Sequence, residues 1–175
     1  AIGYRFGARQ RNYENYAMVV RGPDYLYENG IDSGRLSLEY VKLNYFEPSG
    51  ELTFQSGLGL ELRGFALLRL GINNPNNPIY HIPSSQIGGQ VLYNLKDKIR
   101  FESTIIRHGE RNARLGLVQL DLAPYWDGRM SIVYTYNDQL NATFRIDNIF
   151  NSRVDWWTGY TAQGIRANLG LVYKF

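Results

Sequence analysis

Apolar and polar residues alternate with a period of two along most of this 175-residue chain. The run 51–63 shows it best. Leu52, Phe54, Leu58, Leu60 and Leu62 share one parity; Glu51, Thr53, Gln55, Gly57, Gly59, Glu61 and Arg63 share the other. Successive side chains of a strand point to opposite faces, so such a run predicts a strand with one apolar and one polar side. Runs of this kind recur at 35–46, 87–95, 99–107, 130–137 and 140–148, and more weakly at 2–10, 15–22, 64–72 and 114–123. In the last of these the alternation slips from Leu115 and Leu117 to Leu120 and Leu122, as at a bulge. Glu47–Gly50, Leu95–Lys98, Trp126–Gly128 and Asn137–Asp138 carry turn residues, and longer connections are expected at 73–85 and 151–163. No run has helical spacing. At roughly 10 residues per spanning strand and about 5 per connection, the chain is all-β and antiparallel with about 8–11 strands.

Strand length separates two architectures. The apolar parities persist for about nine to eleven positions, which crosses a bilayer at a tilt, whereas sandwich strands average about five or six. Glycines 57, 59, 88 and 170 interrupt the polar parity, which suits a crowded interior. Tyr45, Phe46, Tyr93, Tyr125, Trp126, Tyr134, Tyr136 and Tyr173 lie near strand ends, where aromatic rings favour the headgroup level. No stretch reaches 18 apolar residues, which excludes a spanning helix but not a transmembrane β-barrel. The barrel reading makes 1–175 one β-barrel domain or the C-terminal part of a larger barrel; a soluble β-sandwich binding module is the alternative. Glu51, Glu61, Arg63, Arg100, Glu102, Arg145, Asp147, Arg166 and Lys174 all fall on polar parities. An arginine on the lipid face at midplane would cost about 2–4 kcal/mol, so these charges are assigned to the interior. There they form a paired lumenal network in a small barrel, or line a channel or contact a plug in a large one.

The chain ends on an aromatic inside an alternating run, 164–175. Asn168-x-Gly170-x-x-Tyr173-x-Phe175 resembles the C-terminal signal by which bacterial outer-membrane barrels are recognised for insertion. The likeness implies a bacterial outer-membrane location, lipid and lipopolysaccharide as surroundings, and the barrel-assembly machinery as a partner of the last strand. From about 86 onward the chain resembles the C-terminal strands of TonB-dependent outer-membrane receptors. The carrying residues are Leu140-Asn-Ala-Thr-Phe-Arg-Ile-Asp-Asn-Ile-Phe-Asn151, then Trp157-Thr-Gly-Tyr160, Gly164 and the closing Tyr173-x-Phe175. Residues 1–85 show only generic alternation, with no plug and no energy-coupling box. The resemblance implies a non-enzymatic protein of transporter, receptor or pore type. A small closed outer-membrane barrel with a structural or adhesion role is the nearest rival, and an embedded lipid-modifying enzyme comes after it. With Phe175 periplasmic, the loop 151–163 lies outside, and Trp156, Trp157 and Tyr160 stand at the outer rim. Counting back then makes the tight link 95–98 an outer one and the long link 73–85 a periplasmic one. That conflict points to a miscounted strand near 109–128 or to a less simple topology.

The remaining chemistry is sparse. There is no cysteine, and the two histidines offer only weak pairings: His81 with Ser84 or Ser85, and His108 with Asp121. Neither a catalytic set, a metal site nor a cofactor is expected. The formal charge of +3 is spread along the chain, which argues against a nucleic-acid partner. The residues do not name a solute.

Overall fold

The computed structural model describes the chain except at residues 22–24, 28–29, 33–35, 73–78, 116 and 158; at 21, 25–27, 30–32 and 157 the backbone alone is described. The strands are β1 (Ile2–Arg21), β2 (Tyr25–Tyr27), β3 (Gly30–Asp32), β4 (Leu36–Gln55), β5 (Leu60–Leu68), β6 (Ser85–Leu95), β7 (Ile99–His108), β8 (Arg111–Leu115), β9 (Val118–Leu122), β10 (Tyr125–Thr135), β11 (Leu140–Asp147), β12 (Asp155–Trp157), β13 (Tyr160–Thr161) and β14 (Arg166–Tyr173). The main sheet has the order β14-β11-β10-β7-β6-β5-β4-β1-β8-β9. From β1 to β14 its long strands form one antiparallel meander.

The connections resolve the topological conflict. Short turns at 56–59, 96–98 and 136–139 lie at one end of the sheet, the turn end. The longer connections 22–35, 69–84, 109–124 and 148–165 lie at the other, the loop end. Residues 111–122 are a hairpin, β8–β9, within one of the long connections, and hold no spanning strand. Removing the expected strand 114–123 from the count restores strict alternation of short and long links. The register slip read there as a bulge is the hairpin's own reversal, Leu115 pairing with Val118.

Three other expectations are corrected. The run 51–63 is not one strand: β4 ends at Gln55, and Ser56–Gly59 form a turn with Gly59 at φ 81°. Glu47–Gly50 is not a turn but the middle of β4, where Pro48 stands opposite Ala8. Pro48 has no N–H, and the β4–β5 ladder breaks beside it, stopping at Ser49↔Leu67 and returning as the isolated bridge Phe46↔Leu70. The ladder to β1 is continuous there and keeps the segment extended. Trp126–Gly128 likewise lies inside β10, paired with Ile105–Arg107 of β7.

Residues opposite one another in an antiparallel pair share a face, so the register sorts the sheet into two surfaces. One row runs Leu60–Tyr93–Phe101–Ile132–Phe144–Leu169. Ile2, Tyr4, Phe6, Leu52 and Phe54 extend this apolar face over β1 and β4. On β4 it runs from Phe54 to Phe46, about 26 Å along the strand at roughly 3.3 Å per residue, close to the apolar band of about 25 Å on outer-membrane barrels. Beyond it, at the loop end, the same face turns polar, with Gln10 bonded to Asn44 and Lys42 paired to Glu14. The sheet does not close on itself: among the described residues β14 pairs only with β11.

Among the described residues a cluster of buried apolar side chains, Met18, Val20, Leu43, Tyr45, Ile72, Ile79 and Tyr80, lies at the loop end on the opposite face. There Ile72, Ile79 and Tyr80 of the connection 69–84 pack against β1 and β4. The β8–β9 hairpin joins it, tied to β4 by the two-pronged contact of Arg114 with Glu39. Tyr45 and Tyr125 therefore do not belong to a lipid-facing girdle. Both face the polar side, Tyr45 in this core and Tyr125 beside His108.

Candidate functional site

Glu51, Glu61, Arg63, Arg100, Glu102, Arg145, Asp147 and Arg166 all fall on the face opposite the apolar band. The strand period that separates them from the leucines on either side also brings them together. Arg63 lies 3.9 Å from Glu51 and 3.6 Å from Glu61, and Gln55 donates to Glu61 at 3.0 Å. Glu102 accepts from Gln90 at 3.1 Å. Arg145 donates through Nε and Nη2 to Oδ1 of Asp147 at 2.9 and 2.8 Å. Arg100 stands between Asn94 and Val133, outside these clusters.

A second polar array, which sequence reading missed, crosses the same face at the loop end. Glu47, 7% exposed, takes Arg69 at 3.2 Å and Arg11 at 3.5 Å. Arg69 also donates to the Pro83 carbonyl at 2.8 Å and to Gln86 at 3.4 Å. Gln86 meets Nδ1 of His108 at 3.2 Å, and the His108 ring stacks on Tyr125 at 4.5 Å. Arg111 lies 4.7 Å from the centre of the same Tyr125 ring and donates to the Asp155 carbonyl at 3.0 Å. The chain of contacts thus links β1, β4, β6, β7, β10 and three of the long connections. Asp127 shares a face of the β7–β10 ladder with His108, whereas Asp121 sits opposite Asn112 in the β8–β9 hairpin. His81 is held in the left-handed region at φ 65°, and its N–H donates to the Asn112 carbonyl at 2.7 Å. Burial, reinforced by Arg111 and opposed by Asp155, keeps its pKa below the ordinary histidine value. Among the described residues no three His, Asp or Glu side chains converge as metal ligands.

The connection 148–165 roofs a cavity of about 480 Å³ on this face. Its root is the element Asn148-Ile-Phe-Asn151. Asn148 and Asn151 adopt φ 53° and 50°, a conformation that asparagine tolerates better than most residues. Asn148 bonds the Ser152 and Gln163 carbonyls at 3.1 and 3.0 Å and accepts from the Ser152 N–H at 2.9 Å. Ile149 and Phe150 lie against Gly128, where an added Cβ would meet them at 2.7 Å. A side chain there would make Ile149 and Phe150 shift. Trp156 lines the cavity and is half exposed; Tyr160 is equally exposed; the side chain of Trp157 lies outside the described residues. At the far end of β14, Asn168 and Gly170 lie on the polar face and Tyr173 on the apolar one. Phe175 follows the strand, its ring 5.1 Å from that of Tyr173.

A scan against protein-family models finds no match, and a search of curated proteins finds none. Solved structures do match. The siderophore receptor PirA from Acinetobacter baumannii aligns over 99% of this chain and 30% of its own, with a TM-score of 0.72 and 13% identity. The ferric enterobactin receptor PfeA from Pseudomonas aeruginosa, as its G324V mutant, aligns over 98% of this chain and 29% of its own, at 0.68 and 15%. The fold is that of an outer-membrane receptor barrel's wall. The likeness covers the first half of the chain as well as the stretch from 86 onward. The chain spans about a third of the length of these structures.

Proposed function

We propose that this chain forms part of the wall of a bacterial outer-membrane β-barrel of transporter or receptor type, without catalytic activity. The observation that carries the reading is the register: along the band, eight successive long strands gather most of their Leu, Ile and Phe on one face and Glu51, Glu61, Arg63, Arg100, Glu102, Arg145, Asp147 and Arg166 on the other. The apolar face meets lipid, the polar face lines the lumen, and the long connections lie outside with lipopolysaccharide around them. Glu51, Glu61, Arg63, Arg100, Glu102, Arg145, Asp147 and Arg166 then line the passage. Asn168, Gly170, Tyr173 and Phe175 serve as the insertion signal read by the barrel-assembly machinery, and Trp156, Trp157 and Tyr160 sit at the outer rim. The unpaired edge of β14 and the length of the matched structures support a larger barrel over a small closed one. The solved relatives are receptors for siderophores, which supports uptake of a solute as the role.

Single cysteines test the facing. In bilayers, probes at Ile132 and Phe144 should be quenched by lipid-borne quenchers, and probes at Ser131 and Thr143 should react with water-soluble maleimides. Equal aqueous reactivity on both faces would overturn the membrane reading.

A further inference from the structure

We propose that the cavity beneath the connection 148–165 is a binding subsite for a small ligand carrying two or more oxyanion groups, such as carboxylates or phosphates. The proposal rests on the polar face being the lumenal one. One row on that face runs Thr104–Arg129–Asp147–Arg166 across four strands. Asp147 is turned along its own strand, where its Oδ1 accepts both Arg145 donors. The two arginines that flank it are left without a carboxylate. Arg166 meets only the Gln163 amide oxygen at 3.4 Å, and the Arg129 guanidinium has no hydrogen-bond or ion-pair partner among the described residues. Both line the cavity, with Arg145, Trp156 and two carboxylates, Asp127 and Asp147.

The arrangement fits a divalent anion better than a single charge. Arg129 and Arg166 stand on strands two apart, about 10 Å between axes at roughly 4.8 Å per strand. Each presents a planar fork that takes a carboxylate or phosphate edge-on through two donors. The volume of about 480 Å³ lies in the range of small-molecule sites. A protein whose only need was to balance this row would set Asp147 between its two neighbours. Here the aspartate serves Arg145, and the flanking positive charges face the cavity. Lipid phosphates are poor candidates, because the apolar band faces the other way.

The test uses the full protein in detergent, titrated calorimetrically with pyrophosphate, tricarballylate and acetate. Saturable binding of the first two is expected, with acetate weaker by about tenfold or more. Arg129→Gln and Arg166→Gln should each weaken pyrophosphate binding about tenfold, the loss of one charge-assisted bidentate contact. Arg107→Gln, on the apolar face, should leave it unchanged. Each variant is first shown to keep its β-sheet circular dichroism. Absence of saturable binding, or binding that survives the double replacement of Arg129 and Arg166, overturns the subsite. If the cysteine probes still place Ser131 and Thr143 in water and Ile132 and Phe144 in lipid, the barrel reading stands while the subsite falls.

Discussion

The paired strands β1 and β4 run through two regions that solve opposite problems. Near the turn end their apolar side chains are bare: Ile2 is 80% exposed, Tyr4 77% and Leu52 59%. Near the loop end Met18, Val20 and Leu43 are 4%, 1% and 2% exposed, and they lie on the other face. In β1 the apolar parity never changes; even-numbered residues are apolar in both regions. What changes is the backbone. Between Tyr13↔Leu43 and Tyr16↔Val41 one extra residue enters β1, and this bulge turns its even positions over to the opposite face. β4 has no bulge and switches parity in its sequence instead, from Phe46 to Tyr45. The lesson is that the outer face is apolar only where the chain supplies nothing to cover it. Where its own connections return, the apolar residues turn inward to meet them.

The largest effect is expected where the two regions join. Glu47 is buried between Arg69 and Arg11. Removing one partner of a buried ion pair typically costs about 3–5 kcal/mol, because the remaining charges stay buried. Glu47→Ala should therefore loosen the connection 69–84 and speed proteolysis there, with the turn-end strands less affected. Uniform destabilisation in urea, without faster cleavage at the loop end, would show the two regions to be one cooperative unit.

Next come substitutions inside the apolar band. Ile132→Arg should lower stability in bilayers by about 2–4 kcal/mol, and Ser131→Arg, one residue away on the other face, by much less. Equilibrium folding into liposomes measures both. Equal losses would erase the distinction between the faces.

The loop-end region should also respond to acid. The folded His81 has a lowered pKa, with Arg111 and Asp155 as its charged neighbours. Below about 6.5 the unfolded histidine binds a proton that the folded one resists, so folding is disfavoured as pH falls from there towards the folded value. Above that range His81 contributes no pH dependence. Amide exchange in 79–84 should accelerate between pH 7.5 and pH 5, and His81→Asn, which tolerates the left-handed backbone, should flatten the response. An unchanged slope in His81→Asn would assign the effect to another group.

The strands at 87–95, 99–107, 130–137, 140–148 and 164–175 were legible because period-two alternation needs no tertiary information. So was the common face of the eight charged residues. The array from Glu47 through Arg69, Gln86 and His108 to Arg111 was not, because its members come from separate segments that only the connections bring side by side. The bulge in β1 was hidden for a related reason: an unbroken parity carries no trace of an inserted residue. Pro48 misled because local turn propensity yielded to pairing between two twenty-residue strands.

The smallest effect tests the hairpin that alternation concealed. The register Phe54↔Leu62 spans an even number of residues, so Leu52, Phe54, Leu60 and Leu62 keep one parity straight through the turn. Leu58 falls in that parity and reads from sequence as a midplane lipid contact. In the structure it sits at the tip of the turn, 82% exposed, its N–H bonded to Ser56 Oγ at 3.2 Å. A residue there lies beyond the band, and an arginine side chain can reach water without crossing lipid. Leu58→Arg should therefore change bilayer stability by no more than about 0.5 kcal/mol, the usual range for an exposed site. Leu62→Arg, opposite Phe54 at the turn-end edge of the band, should cost more than Leu58→Arg but less than Ile132→Arg. A large loss at Leu58 would place the turn within the bilayer and move the whole apolar band along the strands.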